Sequence, residues 1–593
     1  MQETHLDDLL ISLTSIEAWA AAYCRVDCTA GNNGLFDDDT VEALLAEAQR
    51  LANDVFKPLA QATDLQHPVL ENARVRMPEG WVAAYRDWAD SGWMGLGVEE
   101  ALGGQGAPNQ VAAAALEIWN ASSAVLGIGA SLTLGAIDTI AAYADPAIRS
   151  RYLPDLVAGR ALGTMNLTES QAGTDLSLLR TKAEANPDGS FALTGEKIFI
   201  TFGAHDLTDN IIHLVLARLP EAPAGNKGIS LFLCPAMLDC EDGGLAPNRV
   251  VCRKLENKIG LHGSPTAVMG FDGAKAHLLG APHQGLAAMF TMMNAARIMV
   301  GIQGTAVAQA AFDLAHQYAH NRPQGRAKSW AGAGPAPIIH HPDVREMLLS
   351  MEALTAAARL VSLAAAQAAD AAKGSKTEGF WQRRVDLLTP LAKAYPTDIG
   401  EEVASLGIQV HGGMGYIEDS GAGRLYRDAR IFRIYEGTNG IQALDLLQRK
   451  LPDDGPGGIN DLLAEMNSSL AQLSPELPSA LADMQPTVHQ ALTDVRASTV
   501  LQQQRLARGE LDSARAGATI YLRQLADALA GCLLLTTVDR LVAADDPAAR
   551  RWAGLARHFI VTRLSRSGSH VLQVTETGAS LQADGWPDRL SDI

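Results

Sequence analysis

Residues 409–416 read QVHGGMGY, and residues 425–442 read LYRDARIFRIYEGTNGIQ. The first segment contains Gly412, Gly413 and Gly415, which lack a side chain and so let a flat or charged group approach the backbone closely. A glycine cluster alone is a weak signal. It gains meaning here because a single carboxylate follows it in the second segment.

That carboxylate is Glu436, which stands between an aromatic residue and a glycine, just before a helix predicted to begin near Gly440. One interpretation makes it a helix-start carboxylate, with Thr438 or Asn439 as the N-cap. The other makes it a general base, because a positioned carboxylate can take a proton from a reacting group. The two segments leave both interpretations open.

Three further segments carry chemistry-bearing side chains. Residues 165–176 (MNLTESQAGTDL) predict a loop that offers hydroxyl and backbone donors to an anionic or heteroaromatic group. Residues 196–201 (EKIFIT) predict a strand with Phe199 and Thr201 on the same face. Residues 321–326 (NRPQGR) follow a long apolar helix. The alternatives are a polar loop, half-buried strand packing and a solvated helix C-terminus.

The composition is that of a globular protein and argues against nucleic-acid binding. The chain has 593 residues, and its 48 Lys and Arg against 67 Asp and Glu give a net charge of −19. Nonspecific nucleic-acid binding requires cations that neutralise phosphates. The first residues lack the features of a secretory signal, and the most apolar helical stretch, residues 529–538, is shorter than the ~20 residues that span a bilayer. We predict a cytoplasmic protein without a transmembrane segment.

The cysteines and histidines predict no metal site. The six cysteines form no paired CxxC motif. Cys24 and Cys28, four residues apart on a predicted helix, could form half of a metal site or be buried thiols. The histidines show no pattern such as HExxH, and His411 is predicted to be a packing residue.

The pattern of apolar and turn-forming residues changes along the chain. Helical spacing gives way to β-branched runs separated by turn residues, and then returns. The residues 451–458 (LPDDGPGG) predict a linker, and the polar tail, residues 571–593, is predicted to be loosely held. We predict an α+β fold that is mostly α, with a helical N-terminal domain, a central β domain and two helical domains; their residues are 1–161, 162–285, 286–451 and 459–593.

These five segments, in their order along the chain, resemble those of the acyl-CoA dehydrogenase family, whose members are flavoenzymes that oxidise acyl-CoA thioesters between Cα and Cβ. The resemblance covers residues 38–450 and is strongest to enlarged members with an additional helical C-terminal domain. Residues 93–97 (WMGLG), 103–106 (GGQG) and 258–266 (KIGLHGSPT) support it. It implies a β-barrel-like middle domain and a four-helix bundle that carries Glu436.

The resemblance also implies a set of site residues. Glu436 would be the general base that removes the α-proton, and N5 of FAD would accept the β-hydrogen as hydride. The implied FAD contacts are Met165, Leu167, Thr168, Gly173, Thr174, Phe199, Thr201, Arg322, Gln324, Gln409, Gly412, Gly413 and Thr438. The implied substrate contacts are Thr174, Asn294, Arg297 and Gly437. Because Arg322, Gln324, Gln409, Gly412 and Gly413 would reach the FAD of a neighbouring subunit, a homodimer or homotetramer is implied.

The implied activity is dehydrogenation of an acyl-CoA to the trans-2-enoyl-CoA, with 3-methylthiopropanoyl-CoA among the candidate substrates and an electron-transferring flavoprotein as acceptor. Three alternatives stay open. One is an acyl-CoA oxidase that passes electrons to O₂, and another is a non-enzymatic or DNA-associated flavoprotein, against which the net charge argues. The third is a structural helical protein without a cofactor. The C-terminal addition could be extra helical packing or a membrane-contact module. Its arginines between residues 550 and 566 could attract anionic lipid or the nucleotide-like tail of coenzyme A, or could form a solvated helix face.

Overall fold

The computed structural model describes residues 2–23, 35–374 and 378–582, so Cys24 and Cys28 lie outside the described residues. The chain divides into two compact units. The first unit contains residues 1–46, 108–117 and 300–593, and the second contains residues 47–107 and 118–299.

The secondary structure follows the predicted order of helical, β and helical regions. The N-terminal elements are α1 (Gln2–Tyr23), α2 (Asp38–Leu51), α3 (Lys57–Thr63), β1 (Val69–Glu71), β2 (Arg74–Arg76), α4 (Trp81–Asp90), α5 (Asn109–Ser122), α6 (Ala124–Tyr143) and α7 (Pro146–Val157). The middle strands are β3 (Ala161–Asn166), β4 (Lys182–Ala185), β5 (Phe191–Thr201), β6 (Asn210–Arg218), β7 (Ile229–Pro235), β8 (Met237–Asp239), β9 (Leu245–Pro247), β10 (Val250–Leu255) and β11 (Thr266–Leu279).

Helices make up the remainder. They are α8 (Gly285–Asn321), α9 (Pro342–Gly374), α10 (Glu378–His411), α11 (Ala422–Phe432), α12 (Asn439–Asp445), α13 (Ile459–Ala471), α14 (Ser479–Ala482), α15 (Gln485–Ala507), α16 (Leu511–Ala516), α17 (Ala518–Ala543), α18 (Ala549–Thr562) and α19 (Ser567–Gln582). The Asp and Gly residues at the start of α2 and in the 451–458 linker account for two of these boundaries.

The middle strands of the second unit close on themselves. Strand β11 pairs with β5, β5 with β4, β4 with β6, β6 with β7, and β7 again with β11. Strand β3 joins β6 in parallel, and β10 joins β11 in antiparallel orientation. Strands β6 and β7 are buried along nearly their whole length, as expected of strands covered on both faces. The β-barrel-like middle domain is therefore confirmed.

In the first unit, α10 packs against α9, α11, α12 and α17. The N-terminal helix α1 packs on α9 and α17, where Arg540 Nε donates to Ser15 Oγ at 3.0 Å. Arg551 forms ion pairs with Asp8 and Glu352, and Arg563 pairs with Glu402. Two arginines of the 550–566 segment are thus used in contacts within this unit, which supports extra helical packing for the C-terminal addition.

The tail differs from the prediction. Residues 571–582 belong to α19 and are not loosely held: Val574 is fully buried, and Arg505 donates hydrogen bonds of 2.7 Å to the carbonyl oxygens of Val574 and Thr575. The polar composition concealed this packing because only a few apolar residues of α19 face the core. Residues 583–593 lie outside the described residues.

Three described helices are long and apolar enough, by length and composition alone, to cross a membrane. The prediction from the sequence did not identify them, because it treated residues 529–538 as the most apolar helical stretch. They are Ala124–Tyr143, Gly285–Asn321 and Pro342–Lys373, and 83%, 50% and 78% of their most apolar windows are buried inside the protein. Alanine-rich core helices give this signal because their small residues pack closely on every side.

A buried carboxyl group on α17, Asp527, should make stability depend on pH. Burial raises the pKa of Asp527 on α17 to about 6, against the lowering effects of Arg563, Arg523 and the Tyr395 hydroxyl; Glu402 acts in the raising direction. An ordinary Asp in the unfolded chain has a pKa of about 3.9. Between that value and about pH 6, the folded protein therefore keeps a proton on Asp527 that the unfolded chain releases. Stability from this group is present at low pH and is lost as pH rises through about 6.

We expect Asp527→Asn to remove this pH dependence, because the amide cannot ionise. When pH is raised from 4.5 to 8, the free energy of unfolding of the variant minus that of the wild type should increase by about 2 kcal/mol. The difference in melting temperature should increase in the same direction. Thermal melts at both pH values measure the effect, with the exposed Asp483→Asn as the matched control. An equal change at both pH values would show that Asp527 does not titrate differently in the folded state.

Candidate active site

A buried ion pair organises the loop that follows β3 in the second unit. The Nζ atom of Lys197 lies 2.8 Å from Oε1 of Glu169 and donates a 2.9 Å hydrogen bond to the Leu167 carbonyl oxygen. Glu169 also accepts hydrogen bonds from Gln171, from the Arg180 and Thr181 backbones and from the Thr181 hydroxyl. This network holds the backbone of the 165–176 loop in one arrangement.

Both charges of the pair are maintained inside the protein. Burial alone would raise the pKa of Glu169, but Lys197 and the hydrogen bonds lower it to about 2. Burial lowers the pKa of Lys197 to about 8, against the opposing effect of the Glu169 carboxylate. The pair therefore stays charged near neutral pH, and its contribution through Glu169 would be lost only as pH falls toward about 2.

A β-bulge in β5 determines where Phe199 points. Opposite β11, Ile200 pairs with Ala267 and Lys197 pairs with Met269, so two residues of β5 face one residue of β11. Phe199 has a φ of 61° and its side chain is 60% exposed, whereas Lys197 is fully buried. The extra residue places Lys197 and Phe199 on opposite faces of the strand, although they are two positions apart in the sequence. An exposed aromatic ring in a strained conformation is typical of a ligand contact.

The other predicted residues of this unit lie in β3, in the loop and at the start of α8. Met165 is buried, Leu167, Thr168 and Thr201 are half-buried, and Gly173 and Thr174 are exposed. Thr168 is fixed by its carbonyl oxygen, which accepts a 2.9 Å hydrogen bond from the Ile198 backbone.

At the start of α8, Arg297 is buried and donates a 3.2 Å hydrogen bond to the side chain of the exposed Asn294. Two of the four predicted substrate residues are therefore adjacent to each other.

In the first unit, Glu436 occupies a strained backbone position. Its φ is 55°, and that of Gly437 is 85°, so two consecutive residues adopt the left-handed region. Thr438 is the N-cap of α12, because its hydroxyl accepts the Ile441 N–H at 3.3 Å. This N-cap is one that the helix-start interpretation of Glu436 allowed, so capping does not decide between the two interpretations. A non-glycine residue in this region costs of order 1–3 kcal/mol, which favours a functional interpretation of the half-buried Glu436.

Two side chains anchor the Glu436 loop to α10. Arg433, three residues before Glu436, pairs with Asp398 at 2.6 Å and with Glu401. The buried Asn439, three residues after it, donates to Asp398 at 2.8 Å and accepts from Lys393 Nζ at 2.8 Å. The backbone that carries Glu436 is thus held between two points on one helix.

Tyr435 supports the same loop from inside. Its hydroxyl donates a hydrogen bond to Gln303 of α8, and its ring stacks on Phe432 with centroids 6.0 Å apart. Burial and the neighbouring Glu436 raise the pKa of Tyr435 well above its usual range. Tyr435 therefore remains a neutral donor that fixes the residue next to Glu436.

The three glycines of the 409–416 segment differ in whether the structure requires glycine at their positions. Gly415 packs so closely that a Cβ would lie 2.3 Å from the Ile408 carbonyl oxygen, and Gly412 has a φ of 58°. Gly413 has neither requirement, and a Cβ on Gly412 or Gly413 would meet no atom within 4 Å. Their surface is open to a ligand or a partner. His411 stacks on Tyr318 at 4.4 Å, as a packing residue does.

The residues Arg322, Gln324 and Gln409 are all exposed. The Arg322 and Gln324 backbones are fixed by hydrogen bonds of 2.8 Å with Ile338 and Ala336. Three apolar side chains near the glycine segment are also exposed: Met414 (45%), Tyr416 (91%) and Ile417 (48%). This surface is suited to cover by another molecule.

The predicted site residues therefore form two groups, one in each unit. The group in the second unit contains Met165, Leu167, Thr168, Gly173, Thr174, Phe199, Thr201, Asn294 and Arg297. The group in the first unit contains Arg322, Gln324, Gln409, Gly412, Gly413, Glu436, Gly437 and Thr438.

The sequence reasoning missed the buried supports of both groups, namely Glu169, Lys197, Lys393 and Asn439. A lone lysine inside an apolar strand was the signal that could have revealed Lys197. Within residues 2–23, 35–374 and 378–582, no group of three His, Cys, Asp or Glu side chains is arranged to hold a metal ion.

Comparisons with known proteins match this architecture. Residues 38–160, 164–274 and 283–451 match the family models "Acyl-CoA dehydrogenase, N-terminal domain", "middle domain" and "C-terminal domain". A 3-methylmercaptopropionyl-CoA dehydrogenase of Ruegeria pomeroyi is 46% identical over 420 residues, which is 70% of this chain and 71% of that protein.

Two solved structures share the fold over almost the whole chain. Caenorhabditis elegans ACDH-11 in complex with C11-CoA has a TM-score of 0.75 at 21% identity, covering 93% of both chains. An acyl-CoA dehydrogenase from Bacillus anthracis, complexed with FAD, has a TM-score of 0.73 at 20% identity and covers 95% of this chain and 92% of that one. Such coverage extends beyond residue 451, so the additional C-terminal helices belong to the shared fold.

Proposed function

The chain belongs to the acyl-CoA dehydrogenase family, and from that premise we propose that it oxidises an acyl-CoA thioester to the trans-2-enoyl-CoA with Glu436 as the catalytic base. The family consists of oxidoreductases that are flavoproteins. The observation that carries the proposal is the backbone of Glu436, which is strained at φ 55° and is anchored on both sides to α10.

The proposed cofactor is FAD, and the residues present fit it. The second unit offers the exposed ring of Phe199, the half-buried hydroxyl of Thr168 and the open Gly173–Thr174 backbone. Such groups can pack on a flat ring and hydrogen-bond to its edge. The first unit offers Thr438 and, toward the cofactor of a second copy, the exposed residues Arg322, Gln324, Gln409, Gly412 and Gly413.

The proposed mechanism assigns proton removal to the protein. The Glu436 carboxylate takes the α-proton of the thioester, and hydrogen bonds aimed at the thioester carbonyl, the Glu436 N–H among them, stabilise the negative charge that develops on its oxygen. Each such donor contributes about 3 kcal/mol to the rate. Asn294, Arg297, Thr174 and Gly437 would position the acyl-CoA. Bound FAD supplies a hydride acceptor at N5, a chemistry that no side chain provides.

We propose a short or sulfur-containing acyl group, with 3-methylthiopropanoyl-CoA as the first candidate. The 46% identity to the Ruegeria pomeroyi enzyme, over 70% of this chain, supports this choice. An electron-transferring flavoprotein is the proposed electron acceptor, and the cytoplasm is the proposed location. We propose a homodimer or homotetramer because a second copy would cover the exposed 409–417 surface.

A panel of acyl-CoAs mixed anaerobically with the purified holoenzyme tests the proposed function. We expect 3-methylthiopropanoyl-CoA to bleach the flavin absorbance fastest, with one 2-enoyl-CoA formed per flavin. Reduced enzyme should then be re-oxidised faster by an electron-transferring flavoprotein than by air; the reverse would identify an oxidase. Absence of bleaching by every member of the panel would contradict the proposal.

A further inference from the structure

A fully buried glutamine of α12, Gln442, contacts the backbone of the Glu436 loop directly. Its Nε2 atom lies 3.3 Å from the carbonyl oxygen of Glu436 and 3.3 Å from that of Gly437. A carboxamide nitrogen carries two hydrogens, so each carbonyl oxygen can accept one of them. The anchors at Arg433 and Asn439 lie three residues from Glu436, whereas Gln442 binds Glu436 itself.

The orientation of the Gln442 amide follows from these two contacts. If its nitrogen and oxygen were exchanged, the oxygen would face two carbonyl oxygens, which only accept hydrogen bonds. The two acceptors belong to the consecutive residues with φ values of 55° and 85°. A non-glycine residue keeps such a backbone conformation only where the surrounding contacts hold it. Gln442 is therefore a support of the strained turn at Glu436.

The contact with Gln442 constrains the direction of the Glu436 side chain. Every peptide bond that the structure describes is trans, so the peptide between Glu436 and Gly437 moves as one plane. Because Gln442 holds the carbonyl oxygen of this plane, only the ψ rotation of Glu436 remains between the plane and the Glu436 Cα–Cβ bond. The N–H of a trans peptide points opposite to its C=O, so the Gly437 and Thr438 N–H groups point away from Gln442.

We propose that Gln442 is a positioning residue for removal of the α-proton. Because it is fully buried, it acts through the Glu436 peptide and not on the substrate. A base must come within about 2.6–3.2 Å of the atom whose proton it takes, and misplacement by about 1 Å can cost 10²-fold in rate. The inference rests on the proposed function, in which Glu436 is that base.

Gln442→Met tests the contact, because it removes both donor hydrogens and keeps an unbranched side chain of similar length. The matched control is Gln524→Met on α17. Gln524 is 1% exposed, and its Nε2 atom also donates two hydrogen bonds of 3.3 Å, but to the carbonyl and hydroxyl oxygens of Ser567. A second variant, Gln442→Glu, keeps the shape of the side chain and places a carboxylate against the two carbonyl oxygens. Protonation of that carboxylate restores one donor.

Flavin reduction by saturating acyl-CoA is followed anaerobically with each holoenzyme, and affinity for the 2-enoyl-CoA product is measured by calorimetry. We expect Gln442→Met to reduce the flavin about 10²-fold more slowly, with flavin content and product affinity within about twofold of the wild type. Gln524→Met should leave the reduction rate nearly unchanged. The rate of Gln442→Glu, relative to the wild type, should rise as pH falls from about 8 to about 6, because burial beside two carbonyl oxygens favours the protonated carboxyl group.

Equal reduction rates for Gln442→Met and Gln524→Met would overturn the inference. A loss of flavin or of product binding that accounts for the slower reaction of Gln442→Met would also overturn it, because the role of Gln442 would then be structural. If Gln442→Met does not fold, the pH profile decides, and a pH-independent ratio of Gln442→Glu to wild-type rates contradicts the inference. Failure of the proposed function is distinguishable, since the wild type itself would then not bleach.

Discussion

Glu436→Gln should lower the rate of acyl-CoA dehydrogenation by at least about 10³-fold, because an amide cannot accept the α-proton, and loss of a positioned base costs 10²–10⁴-fold. The variant should fold, since its side chain has nearly the same size and the anchors at Arg433 and Asn439 are intact. Flavin content and acyl-CoA affinity should stay within about twofold of the wild type. Stopped-flow absorbance of the flavin measures the reaction.

Glu436→Asp provides a graded control. It keeps a carboxylate but withdraws it by one methylene, and misplacement by about 1 Å can cost 10²-fold. We expect a rate between those of the wild type and the Gln variant. If the Gln variant retained most of the activity with bound flavin, Glu436 would not be the base.

Lys197→Met should produce the second large effect, a loss of about 3–5 kcal/mol in the free energy of unfolding. Lys197 is fully buried, and its removal leaves the Glu169 carboxylate buried without its counter-ion. The Leu167 carbonyl also loses its donor, so the loop that carries Thr168 is no longer fixed. Flavin should then be released more readily, even at temperatures where the variant is folded.

A Lys–Glu ion pair on the surface, with nearly the same N–O distance, gives the matched control. Lys254 lies 2.9 Å from Glu256, but its side chain is 65% exposed. Lys254→Met should change the free energy of unfolding by less than about 1 kcal/mol. The double variant Lys197→Met, Glu169→Gln should recover part of the stability because no charge is left buried. If Lys197→Met behaved like Lys254→Met, the buried pair would not organise the 165–176 loop.

Much of the architecture could be predicted from periodicity and turn residues. Strand β5 (Phe191–Thr201) contains the predicted strand residues 196–201, and the linker at 451–458 separates the predicted helical regions. These features are local, since they depend on residues a few positions apart. The family could be recognised because five short segments keep their order along the chain.

What the sequence could not predict depends on contacts between distant residues. The bulge that turns Lys197 inward and Phe199 outward arises from the pairing of β5 with β11. The support of Glu436 by Lys393 and Asn439 spans 46 residues of chain. The packing of the polar helix α19 likewise needs Arg505 from another helix. Periodicity within one segment carries no information on such partners.

Hydrogen exchange at the α-carbon tests the role of Glu436 most directly. An acyl-CoA analogue with oxygen in place of the β-carbon has α-hydrogens but no β-hydrogen to transfer, so only the base can act on it. In D₂O, mass spectrometry should show the wild-type holoenzyme replacing the α-hydrogens with deuterium, and the Glu436→Gln variant, although it binds the analogue, leaving them in place. Equal exchange rates for the two proteins would contradict the assignment of Glu436 as the base.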